Sequence, residues 1–145
     1  MQVHQILSGK EIDTIWSVAP GDTVYAALEI MEQKNIGAVL VMEAGEMVGI
    51  FSERDYARKG ILRGRASKDT LIKDVMTSKV ITVETEQNLQ ECMEIMSEKH
   101  IRHLPVTKGG KLVGIISIND IVTAIIREQR VHIKSLESYI SGSPY

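Results

Sequence analysis

The chain repeats itself. Slid along itself by 65 positions, the 145-residue sequence matches without a gap from Val18/Val83 to Tyr56/Ile121, and 13 of those 39 pairs are identical. Ordinary residue usage gives roughly two or three identities over such a stretch, so duplication is the better explanation. The shared residues include Glu29/Glu94, Ile30/Ile95, Met31/Met96, Val48/Val113, Gly49/Gly114, Ile50/Ile115, Ser52/Ser117 and Asp55/Asp120. Any fold must therefore house two copies of one small unit, neither with much core of its own.

Each copy has the same coarse pattern. A short strand near Ile15–Val18 or Val80–Val83 leads to a turn in which Asp22 or Asn88 can cap a helix. Val24, Ala27, Leu28 and Met31 then fall at i, i+3, i+4 and i+7, as do Leu89, Cys92, Met93 and Met96, which is the spacing of one buried helical stripe. Two strands follow, AVLVM with MVGIF and HLPVT with LVGII, separated by EAGE and KGGK, whose glycines suit hairpin turns. Asp55 and Asp120 open a second helix. The expected fold class is α+β, with two β-α-β-β-α repeats packed through their open sheet faces in a pseudo-two-fold module. On this reading the first repeat spans residues 6–63, a linker with one short helix 64–75, the second repeat 76–127 and a helical extension 128–145. The linker is polar apart from Leu71, Ile72, Val75 and Met76.

Charge and cysteine usage narrow the function classes. The 17 basic and 19 acidic residues form no long run of either sign, so neither a nucleic-acid tail nor a polybasic membrane anchor is expected. No apolar stretch reaches the ~20 residues that span a bilayer. Cys92 is the sole cysteine and the N-terminus lacks a secretory pattern, which predicts a cytoplasmic protein. No nucleophile elbow, phosphate loop, dinucleotide fingerprint or zincin motif is present. His100 and His103 are three apart without a third ligand nearby, so no metal and no catalytic residue is predicted.

The recurring VGIFSERD and VGIISIND are where chemistry can sit. A strand ends, the chain turns, and a helix begins near the aspartate, so a hydroxyl and first-turn amides point to one spot. A carboxylate there can accept hydrogen bonds from both hydroxyls of a ribose, and the serine can donate to a phosphate oxygen. Ser and Asp at such a junction are also ordinary helix caps, and a duplication copies caps as faithfully as sites. Periodicity does not separate the two readings.

The paired units, with VGIFSERDYAR, DVMT, IRHLPV and VGIISINDIV, resemble a tandem pair of cystathionine-β-synthase-type (CBS) domains, the Bateman module, in its stand-alone bacterial form. The resemblance runs from about Ile6 to Ile126. It implies adenosyl ligands, AMP foremost and also ADP, ATP, NAD or S-adenosylmethionine, held in two clefts, with a homodimer as the usual assembly. Carried onto this sequence, it puts Ser52 and Asp55 in the first cleft with Trp16, Ile36, Gly37, Ala38, Arg54 and Arg58. The second cleft receives Ser117, Asn119 and Asp120 with Ile81, Arg102, His103, Leu104 and Pro105. Arg102 and His103 are its phosphate contacts, whereas Gly37 and Ala38 at the matching positions weaken that grip, leaving Arg54 and Arg58 to supply charge. Trp16 stands where it can stack on a purine or plug the core.

Beyond the repeats, Val122, Ile126, Ile133, Leu136 and Ile140 follow alternating spacings of four and three, interrupted by Gln129. This is a helical seam, for a dimer partner or for the N-terminal segment bearing Val3, Ile6 and Leu7. The resulting expectation is a non-enzymatic adenine-nucleotide sensor that signals to a separate regulated protein, the alternative being a ligand-free assembly module.

Overall fold

The computed structural model describes residues 1–8 and 15–140, so the parts of the first repeat at 9–14 and of the tail at 141–145 lie outside the described residues. The chain divides into two compact units, Ile12–Thr82 and Met1–Glu11 with Val83–Tyr145. These are not cut where the sequence copies are cut. The opening helix α1 (Val3–Ser8) belongs with the second copy, and residues 64–82 belong with the first.

In the first unit, β1 (Ser17–Val18) runs parallel to β2 (Ala38–Glu43), which pairs antiparallel with β3 (Glu46–Ser52), in the order β1-β2-β3. Helix α2 (Val24–Lys34) connects β1 to β2. Its cap is Thr23, whose hydroxyl accepts the Ala26 amide at 3.1 Å. Asp22, expected there, instead accepts the Ala19 amide at 2.8 Å and tightens the preceding turn. The predicted stripe is the buried face: Val24, Ala27 and Met31 are buried and Leu28 packs against them. Val24 and Met31 each contribute about 1.5–3 kcal/mol by leaving water. They meet Val39, Val41 and Phe51 of the sheet, and also Ile72 and Val75 from the stretch read as a linker. That stretch forms a 3₁₀ turn (Ile72–Asp74) and is part of the first core.

The chain after β3 departs from a regular helix. Helix α3 (Glu53–Asp55) lasts three residues, a π-turn (Tyr56–Gly60) and a 3₁₀ turn (Ile61–Arg63) follow, and Gly64 stops the run in the left-handed region at φ 71°. Isolated π-turns are often found at functional sites.

The second unit repeats the pattern with β4 (Val83–Glu84), α4 (Leu89–Lys99), β5 (His103–Lys108) and β6 (Lys111–Ser117), in the order β4-β5-β6. Asn88 caps α4 as expected, accepting the Glu91 amide at 2.8 Å, and Leu89, Cys92 and Met96 are buried. Both short leading strands begin later than expected, so Trp16 and Ile81 stand ahead of them. Leu40 donates its amide to the Trp16 carbonyl at 3.2 Å, but Pro105, its counterpart, has no N–H to give. The parallel ladder of the second sheet accordingly starts one residue later along the repeat.

Both hairpins turn through two residues of positive φ, Ala44–Gly45 (52° and 79°) and Gly109–Gly110 (59° and 81°), which matches the twist of antiparallel strands. Helix α5 (Ile118–Ile140) runs 23 residues without interruption. Where the first copy has Gly60 and Gly64, the second has Ile125 and Gln129, so nothing stops it.

Candidate functional site

The Ser-x-x-Asp element forms the same reciprocal box in both units. In the first, Ser52 is the cap: its hydroxyl accepts the Asp55 amide at 3.2 Å, while the Ser52 amide donates to Asp55 Oδ2 at 3.0 Å. In the second, Asp120 donates its amide to Ser117 Oγ at 3.1 Å and receives the Ser117 amide on Oδ2 at 2.8 Å. The aspartates therefore sit at the third helical position, and the serines, three residues earlier, cap the helices instead. Such a box fixes the carboxylate in one rotamer at the end of a strand.

The second oxygen of Asp55 has partners that the sequence reading missed. Thr77 donates its hydroxyl to Oδ1 at 3.0 Å, and Lys59 Nζ lies 3.2 Å from the same oxygen and 3.3 Å from Thr77 Oγ1. Thr77 is delivered by a two-bond bridge to β3, with Ile50 N donating to Thr77 O at 3.0 Å and Thr77 N to Ile50 O at 2.9 Å. The residue was visible as the last letter of DVMT, and Lys59 as the i+4 neighbour of Asp55. With Ser52 Oγ also 3.1 Å from Oδ2, the four acceptor positions of this carboxylate are all engaged. A vicinal diol can bind only by replacing part of that set, and Oδ1 is the oxygen served by the more exposed partner, Lys59, whose side chain is 45% exposed.

The other first-copy candidates spread around this point. Ala38 is the cross-strand partner of Ser52, and the Gly37 carbonyl accepts the Glu53 amide at 3.1 Å, so both lie directly beside the box. Ile36 packs against the first core. Arg54 and Arg58 are exposed. Trp16 also packs against that core, and Lys34 Nζ sits 4.3 Å from its ring centroid, so one face of the indole already holds a cation. A cavity of about 410 Å³ opens on the same unit, lined by Lys59, Arg63, Arg65 and Asp74.

In the second copy His103 is the cross-strand partner of Ser117, and the Arg102 carbonyl accepts the Ile118 amide at 2.9 Å, which sets both residues of the expected phosphate contact next to the box. Pro105 is buried in β5, and Asn119 is exposed on the first turn of α5. Leu104 is fully buried in β5, where it pairs with Ile116. Ile81 is half-buried in the loop ahead of β4. His100 is the left-handed C-cap of α4 (φ 54°). Burial, and secondarily the charge of Glu91, pushes the Cys92 thiol up from its ordinary range, the opposite of what a nucleophile needs.

Two matches to one family model, described as the CBS domain, fall on residues 10–61 and 72–127. The chain belongs to the CBS domain family. It is 42% identical over 140 residues to the CBS domain-containing protein CBSX3, mitochondrial, of Arabidopsis thaliana, covering 92% of this chain and 68% of that one. A solved structure of a protein with CBS domains from Burkholderia ambifaria is 47% identical with a TM-score of 0.86, over 89% of this chain and 96% of that one. CBS pairs serve as regulatory modules inside larger proteins too. This chain matches 25% of the length of inosine-5′-monophosphate dehydrogenase from Methanocaldococcus jannaschii at 30% identity. Among the described residues no helix is long and apolar enough to cross a membrane.

Proposed function

We propose that this CBS pair is a non-catalytic sensor of adenine nucleotides that acts on a separate protein. AMP is the leading ligand, with ADP, ATP, NAD and S-adenosylmethionine as further adenosyl candidates. The observation that carries the reading is that each copy sets a rigid serine–aspartate box directly across the strand ladder from the position the family resemblance assigns to phosphate, His103 beside Ser117 and Ala38 beside Ser52. The aspartate takes the ribose hydroxyls, and in the second copy Arg102 and His103 take the phosphate. Occupancy shifts the protein only as far as the ligand's affinity differs between two arrangements, and the regulated partner reads that shift. A single buried thiol suits a reducing compartment, the cytoplasm in this reading.

The assembly reading has its own support. The Asp55 carboxylate is satisfied internally, and α5 exposes Val122, Ile126, Ile133, Leu136 and Ile140 along one seam. We assign that seam to a second copy of the chain, as a homodimer, which is compatible with either function.

Calorimetric titration of AMP into the wild type and Asp120→Ala separates the readings. A sensor loses second-copy affinity in the variant while stability falls by only about 1 kcal/mol, the cost of a cap. AMP, ATP, NAD and S-adenosylmethionine that all leave the melting temperature unchanged at millimolar concentration reject the sensor, since ligand at about 1,000 times its Kd adds about 4 kcal/mol.

A further inference from the structure

The two copies diverge immediately after the shared aspartate. In the second, the chain continues as regular helix through Ala124, Glu128 and Arg130. In the first, the corresponding residues are Lys59, Arg63 and Arg65, and the π-turn, the 3₁₀ turn and the left-handed Gly64 curl the chain so that all three line one cavity of about 410 Å³. The hollow is open to solvent and lined by charged side chains, which suits the anionic tail of a ligand held elsewhere. Lys59 is paired with Asp55, so Arg63 and Arg65 face one carboxylate, Asp74, and the cavity keeps a net positive charge of one, which rises to two when Lys59 is released from Asp55. Like charges gathered around a concave surface repel one another, and an anion relieves that repulsion.

Lys59 ties this cavity to the sugar-binding box. Its ammonium is 3.2 Å from Asp55 Oδ1, the oxygen a diol must claim, and its side chain lines the cavity. A diol arriving at Oδ1 displaces the ammonium, which then needs a new counter-charge. Arg63 and Arg65 supply planar donor forks suited to phosphate oxygens.

We propose that the first copy of this chain is specific for a nucleotide bearing a diphosphate or longer anionic tail, with Lys59, Arg63 and Arg65 as the phosphate subsite. The proposal rests on the nucleotide reading above for its sugar. It also gives the first copy the phosphate contacts that Gly37 and Ala38 do not provide, drawn from after the aspartate instead of from the strand before it.

The test titrates AMP, ADP and inorganic pyrophosphate into Asp120→Ala protein, which leaves the first site, with and without Arg63→Ser and Arg65→Ser. Both arginines are exposed, so the substitutions leave the fold intact. ADP should bind about ten- to hundredfold more tightly than AMP, as expected for charged hydrogen bonds to the added phosphate. The double substitution should erase that advantage and leave AMP affinity unchanged. Equal affinities for AMP and ADP, or an ADP advantage that survives the double substitution, overturns the subsite while the sensor stands. If neither nucleotide binds this variant, the first copy holds no nucleotide and the proposal is overturned, while the sensor is judged separately by AMP binding to the wild type; pyrophosphate binding that the double substitution abolishes would then mark the cavity as an anion site only.

Discussion

Replacing either repeated glycine by alanine adds one methyl group to equivalent strands, yet the two substitutions should differ sharply. A Cβ at Gly49 would lie 2.7 Å from Met76 Sδ, 3.2 Å from Met76 Cγ and 3.0 Å from the Thr77 carbonyl oxygen. The sulfur can swing aside, but the carbonyl is held by the Ile50 amide at 3.0 Å. Making room costs about 1–3 kcal/mol of overpacking. Loosening the two Ile50–Thr77 bonds costs a further ~0.5–1.5 kcal/mol each. Alanine recovers about 0.4–1 kcal/mol through the unfolded chain, so Gly49→Ala should destabilise by about 2–4 kcal/mol. At Gly114 the new methyl would meet only Leu7 Cδ2 at 2.8 Å, the far end of a flexible side chain on α1, and the net change should be within about 1 kcal/mol. For a chain of this size the difference is a gap of roughly 5–10 °C in Tm, readable by scanning calorimetry. Because Thr77 also holds Asp55 Oδ1, Gly49→Ala should weaken ligand binding at the first copy as well. A Gly114→Ala protein that melts at or below the temperature of Gly49→Ala would refute the view that Gly49 is there to admit a neighbouring backbone.

Other substitutions test separate parts of the structure. Ala44 holds a left-handed conformation that its counterpart Gly109 adopts freely, so Ala44→Gly should raise stability by up to about 1 kcal/mol in urea melts, and a loss would contradict the turn geometry. Cys92 is buried with its pKa raised, so the folded state holds its proton more tightly than the unfolded state. That contribution is whole below the ordinary thiol pKa of about 8.5 and declines as pH rises through that value toward the folded pKa, and rapid alkylation of the native protein at pH 8 would refute the burial. Leu136→Glu puts a charge in the middle of the exposed seam of α5, and sedimentation should show a homodimer reduced to monomer, an unchanged mass ruling out this seam as the contact.

The duplicated elements were legible because one face of each is buried and burial imposes a period. The stripe Val24–Ala27–Met31 and the alternation around VGI are direct consequences. What escaped reading depends on approach in space. Ile72 and Val75 are a few apolar letters in a polar stretch, and only folding back against the turn ahead of α2 makes them core. Thr77 acquired a role for the same reason, through a backbone bridge that side-chain patterns do not encode. Arg63 and Arg65 carry no signal in the sequence because a π-turn followed by a 3₁₀ turn has no simple period.

The stretch immediately ahead of each copy does not cover that copy. Helix α1 brings Leu7 to Gly114 of the second, and Met76 and Thr77, ahead of the second, press on Gly49 of the first. A protease nicking the chain at Gly64 would hence release two fragments, each stripped of its lid and carrying the lid of the other. Such halves are poor independent proteins and good candidates for reassembly on mixing, because each holds the part the other lacks.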